Sequence, residues 1–290
     1  MKVGVSSYSF SRYLANGSMD VFGAIKAAAE IGFDGIEFSG LPGSDKEKDI
    51  PAFAARIKDA CGEAGLSVIS YTIGADFLTP AKGDWKDEVE RLKGEIDIAA
   101  VLGVKKMRHD ATRGPKDPNS LTAFIEMLPM LANACRAVTE YAAGKGVKTT
   151  IENHGFFMQD SDRCVALMEA VNHPNFGALA DIGNFLCADD DPVRAVGRLA
   201  PYAFHVHAKD FHVKPAAADP GDGWFKSRGG RWLRGSIIGH GCVDIKGCLA
   251  AVKAAGYKDF VSIEFEGMED NRQALEIGLK NLRRYIEVLG

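Results

Sequence analysis

"AIKAAAEIGFDGIEF", residues 24–38, reads as an alanine-rich amphipathic helix, a glycine, and then a short β-branched run. Gly32 falls where a helix ends and the next residue needs a left-handed backbone. The same grammar returns in "ARIKDACGEAGLSVIS" (55–70), "IDIAAVLGVKKMR" (96–108), "YAAGKGVKTTIEN" (141–153) and "AAVKAAGYKDFVSIEFEG" (250–267), with Gly65, Gly103, Gly146 and Gly256 at the hinge. Two weaker units, "NFGALADIG" (175–183) and "YAFHVHAKD" (202–210), follow prolines instead. With the opening "KVGVSSYSF" (2–10), this gives eight candidate strands, near residues 2–9, 34–38, 66–73, 104–109, 147–153, 177–182, 203–209 and 260–265.

Helices fill most of the gaps. Asp49-Ile50-Pro51 and Asp190-Asp191-Pro192 each place an acidic cap just before a proline, a good helix start. Between 86 and 102, apolar residues recur at Val89, Leu92, Ile96 and Ala99/Ala100, which marks one buried helical face. Eight alternations of strand and helix imply parallel pairing through right-handed crossovers. The expected fold is therefore α/β, a (βα)₈ TIM barrel, with a doubly wound open sheet as the alternative. No linker or low-complexity stretch divides the chain, so residues 1–290 are read as one domain. Residues 212–238, "HVKPAAADPGDGWFKSRGGRWLRGSII", break the rhythm as a long insertion after the seventh strand. Structureless connections of that length are functional or disordered.

At 46% hydrophobic and 26% charged the composition is that of a soluble globular protein. A net charge of −4 gives no basic footprint for nucleic acid. Cys61, Cys135, Cys164, Cys187, Cys242 and Cys248 are scattered without a CxxC pair, which suggests reduced thiols in a cytoplasmic protein. The N-terminus lacks the apolar core of a signal peptide, and no apolar stretch is expected to span a bilayer.

In a barrel, chemistry gathers at the C-terminal ends of the strands. Read in order, those ends carry Glu37, His109, Glu152 with His154, Asp181, His207 with Lys209, and Glu264 with Glu266. One such acid is explained by a strand meeting solvent. Four ionisable groups at one depth on four strands are not so easily dismissed. Three carboxylates and a histidine converging on one mouth repel unless a cation sits among them, and an O,O,O,N set suits a hard divalent metal. Glu37 reads as a rim or supporting acid and Glu266 as lying beyond its strand. His205 and His207 share a face of the seventh strand, with His205 one layer deeper, as a hydrogen-bonded core histidine.

The stretches "DGIEF", "IENHG" (151–155), "ADIGN" (180–184), "HVHAKD" (205–210), "GHGCVDIKGCLAAVKAAGY" and "SIEFEG" (262–267) resemble the xylose-isomerase-like TIM-barrel superfamily of sugar isomerases, sugar-phosphate isomerase/epimerases and endonuclease IV. The order and spacing of these motifs carry the likeness, which covers essentially the whole chain. The resemblance implies a metal held by Glu152, Asp181, His207 and Glu264, with Glu152 and Glu264 as a proton-transfer pair flanking a metal-chelated ketose. His109, His154 and Lys209 are then candidate substrate contacts. The chain departs from the ketohexose 3-epimerases at Met158, Asn184 and Val213, where they place a glutamate, a histidine and an arginine. Endonuclease IV needs more histidines than the third strand and Asn184 supply.

The 212–238 insertion carries Trp224, Phe225, Lys226, Arg228, Arg231, Trp232 and Arg234. One reading is a lid that stacks Trp224 on a sugar and aims Arg228 at a phosphate or carboxylate. The other is an arm packed on a neighbouring subunit of a homo-oligomer. His240, just beyond, either reaches the mouth or forms a turn. The expected function is a divalent-metal-dependent isomerase or epimerase of a keto-sugar, sugar phosphate or polyol derivative, working through an enediolate. The cofactor is one divalent ion, Mn²⁺ first, with Mg²⁺, Co²⁺ or Zn²⁺ as alternatives. A lyase or dehydratase at the same site is the main rival. Behind it stand an endonuclease IV-like enzyme and a non-catalytic sugar-binding subunit. The partner is a small carbohydrate, with no nucleic acid and no membrane.

Overall fold

The computed structural model describes all 290 residues. Eight parallel strands, β1 (Lys2–Ser6), β2 (Gly35–Ser39), β3 (Ser67–Ile73), β4 (Lys106–His109), β5 (Lys148–Glu152), β6 (Phe176–Asp181), β7 (Ala203–Ala208) and β11 (Phe260–Ile263), close in the order β1-β11-β7-β6-β5-β4-β3-β2. Because β1 pairs with both β2 and β11, the sheet has no edge, and the open-sheet alternative is excluded. Outside lie α2 (Val21–Ile31), α3 (Ile50–Glu63), α4 (Trp85–Leu102), α5 (Leu121–Gly144), α6 (Ser161–Val171), α7 (Pro192–Leu199), α8 (Ile245–Ala254) and α9 (Asn271–Val288), with the short α1 (Ser11–Ala15) after β1.

The local signals have visible causes. Gly32 ends α2 at φ 100°, where a side chain would be strained, and Gly65, Gly103, Gly146 and Gly256 are left-handed too. Asp49 and Asp191 cap α3 and α7 by accepting from the Ala52 and Arg194 N–H groups. Val89, Leu92, Ile96 and Ala99 form the buried face of α4, while Ala100 is exposed. The first strand stops earlier than expected: the Ser6 hydroxyl accepts from the Tyr8 N–H and starts a 3₁₀ turn over Ser7–Phe10.

Two expectations need correction. Helix α5 is, by length and composition, long and apolar enough to cross a membrane, with a mean hydropathy of 1.3. In the fold it belongs to the outer layer, with Phe124, Leu131, Cys135 and Val138 buried. The segment after β7 is ordered as well. Strands β8 (Asp210–Lys214), β9 (Phe225–Lys226) and β10 (Trp232–Ser236) form an antiparallel sheet in the order β8-β10-β9. Phe211 and Leu233 are buried on its inner face, and Phe225 pairs with Leu233 there. The tip of this arm docks on the chain's own barrel loops. Asp189 accepts from the Ser227 hydroxyl and the Arg231 guanidinium, and the Arg228 N–H donates to the Cys187 carbonyl.

Candidate metal centre

Strand β7 points His205 and His207 into the barrel, and their different depths give them different partners. Both lean on Glu37 of β2, which is fully buried. The His205 Nε2 lies 2.5 Å from Glu37 Oε2 and the His207 Nε2 lies 2.6 Å from Oε1. With Nε2 committed to Glu37, the Nδ1 of His207 faces upward without a hydrogen-bond partner. Around it stand Glu152 Oε1 at 3.7 Å, Asp181 Oδ2 at 3.8 Å and Glu264 Oε2 at 3.8 Å. The register explains the meeting, since Asp181 and Ser262 are the β6 and β11 partners of His207. Ser262 then places Glu264 two residues further up the same strand.

The backbone holds these groups firmly. The Asn153 side chain bonds both the N–H and the carbonyl of Asp181. Asp181 Oδ1 accepts from the Gly183 and Asn184 N–H groups at 2.9 Å each, while its Oδ2 is buried and accepts no hydrogen bond. Gly183 has no alternative here, because a Cβ would lie 2.6 Å from the Lys209 carbonyl oxygen. Two orphaned buried atoms thus face one point between three carboxylates and an imidazole. The four groups each offer a ligand atom within 4.8 Å of the others, and ligands at roughly 2.1 Å from one ion span up to about 4.2 Å. The residues fit a single divalent metal.

The electrostatics agree that positive charge is wanted. Burial opposes protonation of His207, but the charges of Glu37 and Glu264 outweigh it and hold this group well above the usual imidazole range. Burial raises Glu264 as well. Lys209, just past β7, puts its buried ammonium 2.6 Å from Glu264 Oε2, 3.3 Å from Asp181 Oδ2 and 3.6 Å from Glu266. Glu152 differs from Glu264: its Oε2 is 2.8 Å from Arg108, and its Oε1 accepts from Asn184 at 3.0 Å. Burial alone would raise Glu152, yet the Arg108 guanidinium drives it far below the carboxylate range.

Above the cluster opens a cleft of about 320 Å³ lined by His154, Phe156, Asn184, Lys209, Phe225 and Glu266 among others. His154 is half exposed, its Nδ1 3.3 Å from Asp110 Oδ1. Asp110 also takes the Arg108 guanidinium at 2.6 Å, so His154, Asp110, Arg108 and Glu152 form one chain of contacts. Tyr8 stands nearby, its phenol raised by burial and by the charge of Glu266.

The sequence-derived set is therefore only partly assembled. Glu152, Asp181, His207, Glu264 and Lys209 meet, with His154 and Glu266 at the rim and Glu37 and His205 beneath. Four candidates lie elsewhere. His109 is fully buried and packs edge-on against Phe77, its Nδ1 2.9 Å from the Asp110 carbonyl. Strand alternation explains this: Lys106 and Arg108 share one face of β4, and Met107 and His109 share the other. Arg228 is not free for a substrate anion, being paired with Asp160 at 2.8 Å and bonded to the Phe156 carbonyl. Trp224 packs between Lys214 and Arg234 and does not line the cleft, so Phe225 is the arm's aromatic ring there, alongside Phe156. His240 is exposed in a turn beside α9, where Gly239 approaches Tyr285. Sequence reasoning missed Arg108 and Asp110, although an arginine two residues from a buried lysine in "KKMRHD" was the available signal.

Among known proteins, the chain is 23% identical over 260 residues to the inosose dehydratase of Geobacillus thermodenitrificans (strain NG80-2), covering 87% of this chain and 86% of that one. Two solved structures share its fold. The probable 3-DHS dehydratase of petrobactin synthesis from Bacillus anthracis superposes with a TM-score of 0.76 at 20% identity, covering 98% and 99% of the two chains. The 3-keto-D-glucoside 4-epimerase of E. coli gives 0.70 at 18%, again covering 98% and 99%. A family model described as xylose isomerase-like TIM barrel matches residues 25–285. That match and the closed barrel carrying the four-residue cluster agree: the chain belongs to the xylose isomerase-like TIM barrel family.

Proposed function

We propose that this protein is a divalent-metal-dependent enzyme that enolises a polyhydroxylated ketone, a keto-sugar or keto-cyclitol, and eliminates water from it. The observation that carries the choice is the unequal state of the two glutamates. Glu152 has one oxygen engaged by Arg108 and the other by Asn184, while Glu264 has one partner at hydrogen-bond distance, Lys209 at 2.6 Å, with His207 Nδ1 at 3.8 Å. A two-glutamate proton shuttle needs both carboxylates available, so isomerisation or epimerisation becomes the second reading. The dehydratases among the relatives support the first.

A divalent ion held by Glu152, Asp181, His207 and Glu264 would supply Lewis-acid polarisation of the substrate carbonyl and its neighbouring hydroxyl. The chain's own groups do the rest. Glu264 takes the proton from the carbon beside the carbonyl, and the C–H electron pair moves toward the carbonyl oxygen. The Lys209 ammonium sits beside the developing enolate, where fixed positive charge in a dry site counts most. His154, oriented by Asp110, gives its Nε2 proton to the β-hydroxyl; the C–O bond breaks and water departs, leaving an unsaturated ketone. Mn²⁺ is the metal we expect, by the oxygen-rich donor set. Six free cysteines, five of them buried, fit a cytoplasmic setting.

The test is to incubate protein and Mn²⁺ with keto-cyclitols and keto-hexoses in D₂O and weigh the products. Loss of one water supports the dehydratase. Unchanged substrate mass with deuterium taken up moves the reaction to isomerase or epimerase. No exchange from any of these ketones would sink enolisation altogether.

A further inference from the structure

Charge bookkeeping at the mouth narrows the substrate. Lys209 is the one lysine or arginine lining the cleft, and it is surrounded by Glu264, Asp181 and Glu266 and bonded to Asn184; the other basic group there, His154, is matched by Asp110. Arg108, just below, is shared between Glu152 and Asp110. The arm's arginines add no cation to the cleft lining. Arg228 is on Asp160, Arg231 is on Asp189, and Arg234, which has no carboxylate partner, is stacked on Trp224 and does not line the cleft.

A second observation is independent of these. Barrels of this kind bind phosphate on backbone N–H groups of the loops after the seventh and eighth strands. Here that position is filled from within. Asp210 accepts from the Gly239 and Gly241 N–H groups at 2.9 Å each through Oδ2, and from Phe211 at 2.9 Å and Val243 at 3.1 Å through Oδ1. The chain's own carboxylate takes up these four N–H groups, so none of them is free to hold an anion. The nearby N-terminus of α6 is likewise capped by Asp160. Meanwhile Glu266 presents a partly exposed carboxylate to the cleft.

We infer that the cleft accepts uncharged polyhydroxy ketones and rejects phosphorylated or carboxylated ones, with Glu266 as the residue that sets this preference. The inference rests on the mouth being the substrate site proposed above. It removes the sugar phosphates from the substrate classes that the sequence allowed.

Calorimetric binding to the full-length Mn²⁺-loaded protein tests it, using 2-keto-myo-inositol and D-fructose against D-fructose 6-phosphate and 3-dehydroshikimate. At least one uncharged ketone is expected to bind, and the anions about 30-fold or more weakly. Glu266→Gln is expected to narrow that gap by about 3- to 10-fold. An anion binding as tightly as the best uncharged ketone, or no uncharged ketone binding, overturns the inference, and an unchanged gap in Glu266→Gln removes Glu266 from it. Deuterium exchange measured on the same bound ketone separates the two claims. Binding with the expected preference but without exchange defeats the proposed reaction and leaves the charge selectivity standing.

Discussion

The two ends of the barrel make opposite use of buried charge. At the floor, a cavity of about 590 Å³ is lined by Lys105, Lys106, Lys148 and Lys258, with Asp259 as its acid. The lysine that is buried there, Lys106, is fully matched, donating to Asp259 at 2.7 Å and to the Phe204 carbonyl at 3.1 Å. The mouth cleft is about half as large, yet beneath it His207 Nδ1 and Asp181 Oδ2 are buried without a hydrogen bond. Cavity size marks where space is left over; unmatched polar atoms mark where something is meant to arrive. The floor holds strands together, and the mouth gathers polar atoms that the chain itself does not match.

The widest gap between the two ends should appear on removing a metal-binding group. His207→Ala or Asp181→Ala is expected to abolish metal retention and lower turnover by about 10³-fold or more, read by elemental analysis beside product formation. Next comes Arg108→Met, which leaves Glu152 and Asp110 buried without their cation. It should cost about 3–5 kcal/mol in chemical denaturation, far beyond any single change at the floor.

His109, at the mouth end of β4 but turned toward Phe77 and away from the cluster, sets a pH dependence of its own. Burial pushes it down to about 4, below its unfolded value near 6.5. Its contribution is therefore fully present above pH 6.5 and is lost as pH falls toward 4, by on the order of 3 kcal/mol. Unfolding free energy followed across that window should show this slope, and His109→Gln should flatten it. A smaller effect is expected from Glu37→Gln, which loosens the hold on His207 Nε2. Metal affinity should fall about 10- to 100-fold with the fold intact, measured by competition with a chelating dye. The least costly change is Lys106→Met at the floor, because Asp259 is 55% exposed and stays hydrated. A loss of roughly 1 kcal/mol or less is expected, with metal content unchanged. Loss of metal in that variant would break the contrast between the two ends.

Much of this was legible in the chain. The helix–glycine–strand grammar gave eight strands within a few residues of their observed ends, because period, caps and hinge glycines are local properties. The resemblance put Glu152, Asp181, His207 and Glu264 forward as ligands, and these residues stand at or just past the C-terminal ends of β5, β6, β7 and β11, where their side chains meet. What local reading obscured was direction. His109 and Arg108 are neighbours in sequence, but the alternation of β4 sends Arg108 to Glu152 and His109 to Phe77. Trp224 and Phe225 exchange roles by the same alternation in the arm. The fate of Arg228 and Arg231 was also hidden, because Asp160 and Asp189 lie some 40 to 70 residues earlier and meet them only through the fold.

The closure of β1 on β11 sets a timetable for synthesis. Lys2 pairs with Phe260, and the Ser9 hydroxyl donates to the Ile263 carbonyl. Of the eight barrel strands the one made first must therefore wait for the one made last, and until then the growing sheet carries two raw edges, the feature that makes long-range β topologies slow and prone to aggregation. Glu264 emerges at the same late moment, one residue past β11. A partly made barrel can gather Glu152, Asp181 and His207 but not the fourth group, so a site built from all four would be completed only together with the final hydrogen bonds of the barrel.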